Sequence, residues 1–265
     1  MGINISFCSG MSSKSDLRGA ISAGVPIGVV AGHLTTGAMF LTLPRHLDKG
    51  LPLFVDSGAF TSYLSGSEID WQDVLRRYDD IALMTHRPEN LYVVAPDKVG
   101  CQCGTLELLA KWADRVKDLI RQCVNVIVPV HCGDLPGTEM IDRIAAILGT
   151  RQFIAGIPSA RAAMSIAECQ SLSHHAFHVL GRVQMDEDQV ARVAALRHNN
   201  PTSVITADAN WLRSRLATVR RLTEDERTRR RQPGIRWEID HPRAIAVEKA
   251  DRKSTRLNSS HLVLS

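Results

Sequence analysis

Eight short apolar runs, each ending in small or polar residues, constrain this chain more than any other feature. They are INISFCSG (3–10), VPIGVVAGH (25–33), LPLFVDSG (51–58), LYVVAPD (91–97), VNVIVPVH (124–131), QFIAGIPS (152–159), AFHVLGR (176–182) and SVITADAN (203–210). Their apolar residues are continuous rather than alternating, as in strands covered on both faces of a parallel sheet. Helix-like segments lie between them. Ile69 to Thr85 carries Trp71, Val74, Leu75, Tyr78 and Ile81 at helical spacing behind Asp70 as N-cap. Thr105 to Cys123 sets Leu108, Leu109, Trp112, Val116 and Ile120 along one stripe. Segments 138–148, 160–172, 185–197 and 210–221 continue the alternation, while 34–50, with Pro44, has poor helix signals. The pattern predicts an α/β protein, a (β/α)8 TIM barrel over residues 1–221, near the ~250 residues such barrels need.

Beyond the barrel the composition changes. From Ala209 to Arg236 there are nine arginines, no lysines and three acids, a local net of +6 where the whole chain carries +4. An excess made only of arginine suits bidentate phosphate binding, although a solvated helix face reads the same way. Residues 222–250 form a basic C-terminal extension. The final DRKSTRLNSSHLVLS (251–265) resembles a translated sequencing-adapter read-through and is set aside as a non-native tail. On that reading the barrel protein is C-terminally truncated. No run approaches the ~20 apolar residues of a membrane span, and the N-terminus lacks a signal-peptide pattern. Six scattered cysteines read as reduced thiols, which places the protein in the cytoplasm.

In such a barrel, function gathers at the C-terminal ends of the strands. Those ends supply Ser9, His33, Asp56, Asp97, His131, Gly156, Gly181 and Asp208. An aspartate after a strand is also an ordinary turn or cap residue, so the pattern supports a barrel enzyme and stops there. Two carboxylates ~5 Å apart could serve as nucleophile and acid/base at an anomeric carbon, and a third could accept from the N–H edge of a purine-like base. A metal-dependent hydrolase using His33, His131 and Asp208 is weaker, because no His-x-His pair closes the first strand.

The motifs VDSGAF (55–60), VVAPD (93–97), VPVHCG (128–133), FIAGIPSA (153–160), HVLGR (178–182) and ITADANWLRSR (205–215) occur in an order that resembles the tRNA-guanine transglycosylase (queuine tRNA-ribosyltransferase) superfamily. The likeness is stronger to its DpdA-like paralogues, which insert 7-deazaguanines into DNA. The resemblance implies a pentosyltransferase that exchanges guanine for a preQ0-like base. Asp208 would be its nucleophile and Asp56 its general acid/base. Asp97 would bind the base's N–H groups and Phe60 would stack on it, beside Ser57 and Gly58 of the signature. Gly156 and Ile157 would offer backbone contacts, and Leu180 with Gly181 the pocket floor. Trp211, Arg213, Arg215, Arg220 and Arg221 would meet the nucleic acid, although Trp211 could instead pack inward from a capping helix.

The departures are specific. Ala59 and Thr61 replace a glycine and a glutamine of the signature. His131 with Gly133 stands at the substrate-binding position where a Gln-Gly pair is usual, so His131 could take the glutamine's place as a donor to the base substituent or be a structural strand-end histidine. The family's zinc motif, a Cys-x-Cys-x-x-Cys cluster with a distal His, is absent, and no cofactor is identifiable. The partners implied are nucleic acid (DNA favoured over tRNA), a 7-deazaguanine base, and helper ATPase or nuclease proteins, with no membrane. The same exchange on tRNA, a retaining glycosidase or nucleosidase, and a non-catalytic nucleic-acid-binding barrel remain as alternatives.

Overall fold

The computed structural model describes residues 3–9, 14–34, 42–159, 164–181 and 187–209. Its strands are β1 (Ile5–Cys8), β2 (Ile27–Val30), β3 (Leu53–Asp56), β4 (Leu91–Val94), β5 (Asn125–Pro129), β6 (Ile154–Pro158), β7 (Ala176–Leu180) and β8 (Val204–Ala209). They pair in parallel, in chain order, and close into a barrel. The closing register sets Phe7 of β1 opposite Asp208 of β8. Each of the eight apolar runs contains one strand, so the barrel read from the sequence is the fold.

The helices are α1 (Lys14–Ala23), α2 (Thr42–Asp48), α3 (Ala59–Ser65), α4 (Trp71–Leu83), α5 (Gln102–Lys111), α6 (Ala113–Arg121), α7 (Gly137–Leu148), α8 (Ile166–Ser171) and α9 (Glu187–His198). Asp70 caps α4 as expected, its side chain accepting the Asp73 N–H at 3.1 Å. The single helix expected over 105–123 is two, broken where Trp112 leaves helical geometry. Segment 34–50 does hold a helix, α2, because Pro44 falls in its first turn, where a missing N–H costs nothing. Helices α1 and α3 were not anticipated: α1 carries Gly19 and serines, and α3 is too short to show a period. Of 160–172, the described part is helical from Ile166, opened by a Ser165–Glu168 capping box. Segment 210–221, with Trp211, Arg213, Arg215, Arg220 and Arg221, lies outside the described residues, as do 222–250 and the tail.

The core has two compartments, and they fix which way each strand residue points. The larger one joins helix residues such as Leu17, Leu47, Leu75, Leu109, Ile144 and Leu196 to Val55, Val93, Ala155, Ile157, Val179, Ile205 and Ala207 of the strands. Those strand positions therefore face the helices. The smaller compartment is built from strand residues: Phe7, Phe54, Tyr92, Val94, Ile127, Ile154 and Ala176, with Ile5 and Leu180 against it. It lies inside the barrel, where Phe7 meets Phe54 at 5.6 Å and Tyr92 at 5.1 Å between ring centroids. Because side chains alternate along a strand, Asp56, Gly156, His178, Leu180, Thr206 and Asp208 share the inward face. The barrel is plugged with aromatic rings, and its open mouth is the C-terminal end.

Candidate active site

Asp56, Asp97 and Asp208 come together at that mouth. Asp56 ends β3, half-buried, and accepts the Gly58 N–H at 2.9 Å through Oδ1. Burial pushes its carboxyl up to about 6, the charges of Asp208 and Asp97 adding to the rise while the Gly58 bond opposes it. Both other carboxylates therefore act on Asp56 electrostatically. Gly58 has φ of +84° and starts α3, and a Cβ there would also press on Val30 at 3.2 Å. The turn lets the chain leave β3 and return an amide to its own aspartate. Ser57, buried, accepts the Ala59 N–H at 3.2 Å in the same turn.

Asp208 is buried within β8, and its Oδ1 accepts the Gly181 N–H at 2.8 Å. Its Oδ2 has no hydrogen-bond partner among the described residues. Asp97 lies beyond β4, after Pro96, also buried. His131 Nε2 stands 3.0 Å from Asp97 Oδ2, and the Gly100 N–H approaches His131 Nδ1 at 3.4 Å. With Nδ1 accepting, the ring's proton sits on Nε2 and is donated to Asp97. Oδ1 of Asp97 is buried with no partner among the described residues. An acceptor shut off from water and left unsatisfied is costly, so this atom suits a ligand N–H.

Of the two tasks open to His131, these contacts favour the structural one. Both ring nitrogens are engaged within the protein, so it holds Asp97 rather than donating to a base substituent. Gln102 secures this corner: its Nε2 donates to the carbonyls of His131 (2.8 Å) and Leu135 (2.9 Å), and its Oε1 accepts the Leu135 N–H (2.9 Å). Gly133 is where that clamp passes, since a Cβ there would lie 2.6 Å from Gln102 Oε1. Gly133→Ala is expected to cost about 1–3 kcal/mol, read as a lower denaturation midpoint. The double variant with Gln102→Ala should lose no more than Gln102→Ala alone. A single variant that melts with the wild type would mean the clamp has slack.

The remaining positions are mixed. Phe60 is 62% exposed on α3, beside the also exposed Tyr63 and Leu64, with no ring contact among the described residues. Gly156 faces inward, with its carbonyl accepting the Val130 N–H at 2.8 Å. The Ile157 side chain is buried toward the helices, so only its backbone could meet a ligand. Leu180 lies against the inner core, and Gly181 is exposed at the rim. His33 is exposed on a short turn whose carbonyls, those of Ala31 and Leu34, are held by Arg77.

Two residues that the sequence does not mark for the site bear on these carboxylates. Tyr78 of α4 is fully buried, its hydroxyl donating to the Val94 carbonyl at 3.2 Å. Burial drives its phenol well above the ordinary value, with the charges of Asp56 and Asp97 adding. His178, on the inner face of β7, stands 3.4 Å from Asp208 Oδ1. Its signal was parity: it precedes Leu180 on the same face, one layer down.

Among the described residues, no three His, Cys, Asp or Glu side chains are grouped to hold a metal ion. Cys101 instead caps α5 through the Gly104 N–H at 3.3 Å, and Cys103 donates to Glu107 at 3.2 Å. Nor, among the described residues, is any helix long and apolar enough to cross a membrane. None of the six cysteines is in a disulfide.

No family model matches the chain, and no curated protein matches it. Among solved structures, the chain is similar to one provisionally assigned as a fructose-1,6-biphosphate aldolase of Coccidioides immitis. The likeness has a TM-score of 0.55 and 10% identity, over 94% of this chain and 90% of that one. At that identity the likeness speaks for the barrel fold alone.

Proposed function

We propose that the mouth is the active centre of a glycosyltransferase that exchanges guanine in a nucleic acid, DNA in preference to tRNA, for a 7-deazaguanine of the preQ0 type. The observation that carries this reading is the convergence of Asp56, Asp97 and Asp208, with the Asp56 carboxyl raised to about 6. A carboxyl in that range can give and take a proton near neutral pH. The ordered motifs resembling tRNA-guanine transglycosylases supply the finer assignment.

In this mechanism Asp208 Oδ2 attacks C1′ of the target nucleotide, and the bond from C1′ to the base breaks with its electron pair going to the base nitrogen. Asp56, protonated, hands that nitrogen its proton. The sugar is then held as an ester of Asp208. An incoming 7-deazaguanine gives its ring proton to Asp56 and attacks C1′, and the ester bond breaks with its electron pair returning to Asp208. Asp97 Oδ1, unpartnered among the described residues, takes the N–H edge of either base. Phe60, exposed at the rim, is available to stack on it. Arg213, Arg215, Arg220 and Arg221 would bind phosphates while the nucleotide is turned out of its stack, with Trp211 at its side.

The test is incorporation of labelled 7-deazaguanine into duplex DNA and into tRNA by the full chain, with and without its helper ATPase or nuclease partners. Label in DNA is the expected result. Label in tRNA alone moves the reading to the tRNA branch of the same chemistry. Release of guanine without incorporation would mean that water is the acceptor, as in a retaining glycosidase or nucleosidase, and would overturn base exchange.

A further inference from the structure

We infer that His178 is a positioning residue for Asp208, one that steadies the carboxylate as it leaves the sugar. The inference rests on the base-exchange reading for its kinetic consequence, but its geometry stands alone. His178 is fully buried inside the barrel, stacked on Phe54 with centroids 4.9 Å apart and planes 21° from parallel. Its Nδ1 lies 2.7 Å from Thr206 Oγ1. That contact is the hydroxyl's one side-chain bond among the described residues, and Thr206 is fully buried as well. The Thr206 O–H therefore donates to Nδ1, since the alternative leaves a buried hydroxyl proton unsatisfied. The imidazole then carries its proton on Nε2.

Nε2 is closed to water and has no hydrogen-bond partner of good geometry among the described residues. It faces Asp208 Oδ1, 3.4 Å away, the oxygen already bonded by the Gly181 N–H at 2.8 Å. Two N–H groups from β7 and its end thus converge on one oxygen and leave Oδ2 to react. In the first half-reaction Oδ2 becomes the ester oxygen and Oδ1 a neutral carbonyl, a weaker acceptor. In the second, the ester bond breaks and negative charge returns to the carboxylate. Donors aimed at returning charge count most in that step, because hydrogen bonds to charged oxygens are the stronger ones. Loss of the imidazole should therefore slow release of the sugar more than its capture.

The experiment traps the covalent adduct on nucleic acid without acceptor base, then chases it with 7-deazaguanine. In His178→Phe, which keeps a ring over Phe54, adduct formation should hold within about twofold while the chase slows about tenfold. Equal chase rates in a folded variant would overturn the inference. Histidine-selective 15N NMR of the wild-type chain gives a readout that needs no activity. An Nε2–H tautomer whose signal moves in Asp208→Asn is expected, and an Nδ1–H tautomer would overturn the inference even if His178→Phe fails to fold. If the wild type forms no adduct at all, the base-exchange reading fails, and the NMR result still decides whether His178 serves Asp208.

Discussion

Asp208→Asn should abolish the covalent enzyme–nucleic acid band that the wild-type chain forms when acceptor base is withheld. Base exchange should fall by about three orders of magnitude or more, the scale seen when a nucleophile is removed. The substitution is conservative for the fold. Asn can still accept the Gly181 N–H at the position of Oδ1, and its volume matches a side chain that is buried inside β8. It lacks, however, a charged oxygen able to attack C1′. The variant should therefore show wild-type circular dichroism with no adduct on a denaturing gel. A band that persists in Asp208→Asn, or that maps to another residue, would remove Asp208 from the role and the mechanism with it.

Much of this site is legible in the sequence because a parallel barrel imposes two simple rules. Strands are buried on both faces, so they appear as continuous apolar runs, and function gathers at their C-terminal ends. Asp56 and Asp208 emerge from those rules, since each breaks an apolar run from inside it. Asp97 is legible only as the first charged residue after a run. The partners of these carboxylates are not legible in the same way. Gln102 lies between two cysteines in GCQCG and carries no signal of its own, yet its amide clamps the loop that carries His131. His131 reads equally as a donor to the substrate or as a structural strand-end residue, and its Nε2 is turned onto Asp97, a contact set by loop closure rather than by any period. His178 and Thr206 sit one layer below the mouth, where a reading confined to strand ends does not look. Tyr78 belongs to the apolar stripe of α4, and only the packed structure shows that its hydroxyl reaches the Val94 carbonyl of β4. Local rules thus locate the acids, and tertiary contacts alone reveal what orients them.

Asp56→Asn should separate stability from activity in opposite directions, with a pH signature. An aspartate ordinarily titrates at 3.8, but burial and the neighbouring charges hold the folded-state carboxyl of Asp56 near 6. Between those values the folded chain keeps a proton that the unfolded chain has released. Stability therefore falls as pH rises through that interval, and the full penalty persists above it. At ~1.4 kcal/mol per tenfold in a protonation equilibrium, the ionised Asp56 costs the fold about 2–3 kcal/mol at neutral pH. Asparagine removes the charge and can still accept the Gly58 N–H, so the variant should melt roughly 5 °C or more above the wild type at pH 7.5. At pH 4, where the wild-type carboxyl is protonated in the folded state, the difference should nearly vanish. Base exchange should meanwhile drop by about 10²–10⁴, because the variant loses the group that protonates the leaving guanine and accepts the proton of its replacement. In the wild type the two half-reactions should respond to pH with opposite sign. Release of guanine needs the protonated carboxyl and weakens above about pH 6, while capture of the new base needs the carboxylate and weakens below it. A variant less stable than the wild type at pH 7.5, or a stability difference that ignores pH, would show that Asp56 carries no buried charge and so lacks the proton affinity that the exchange requires.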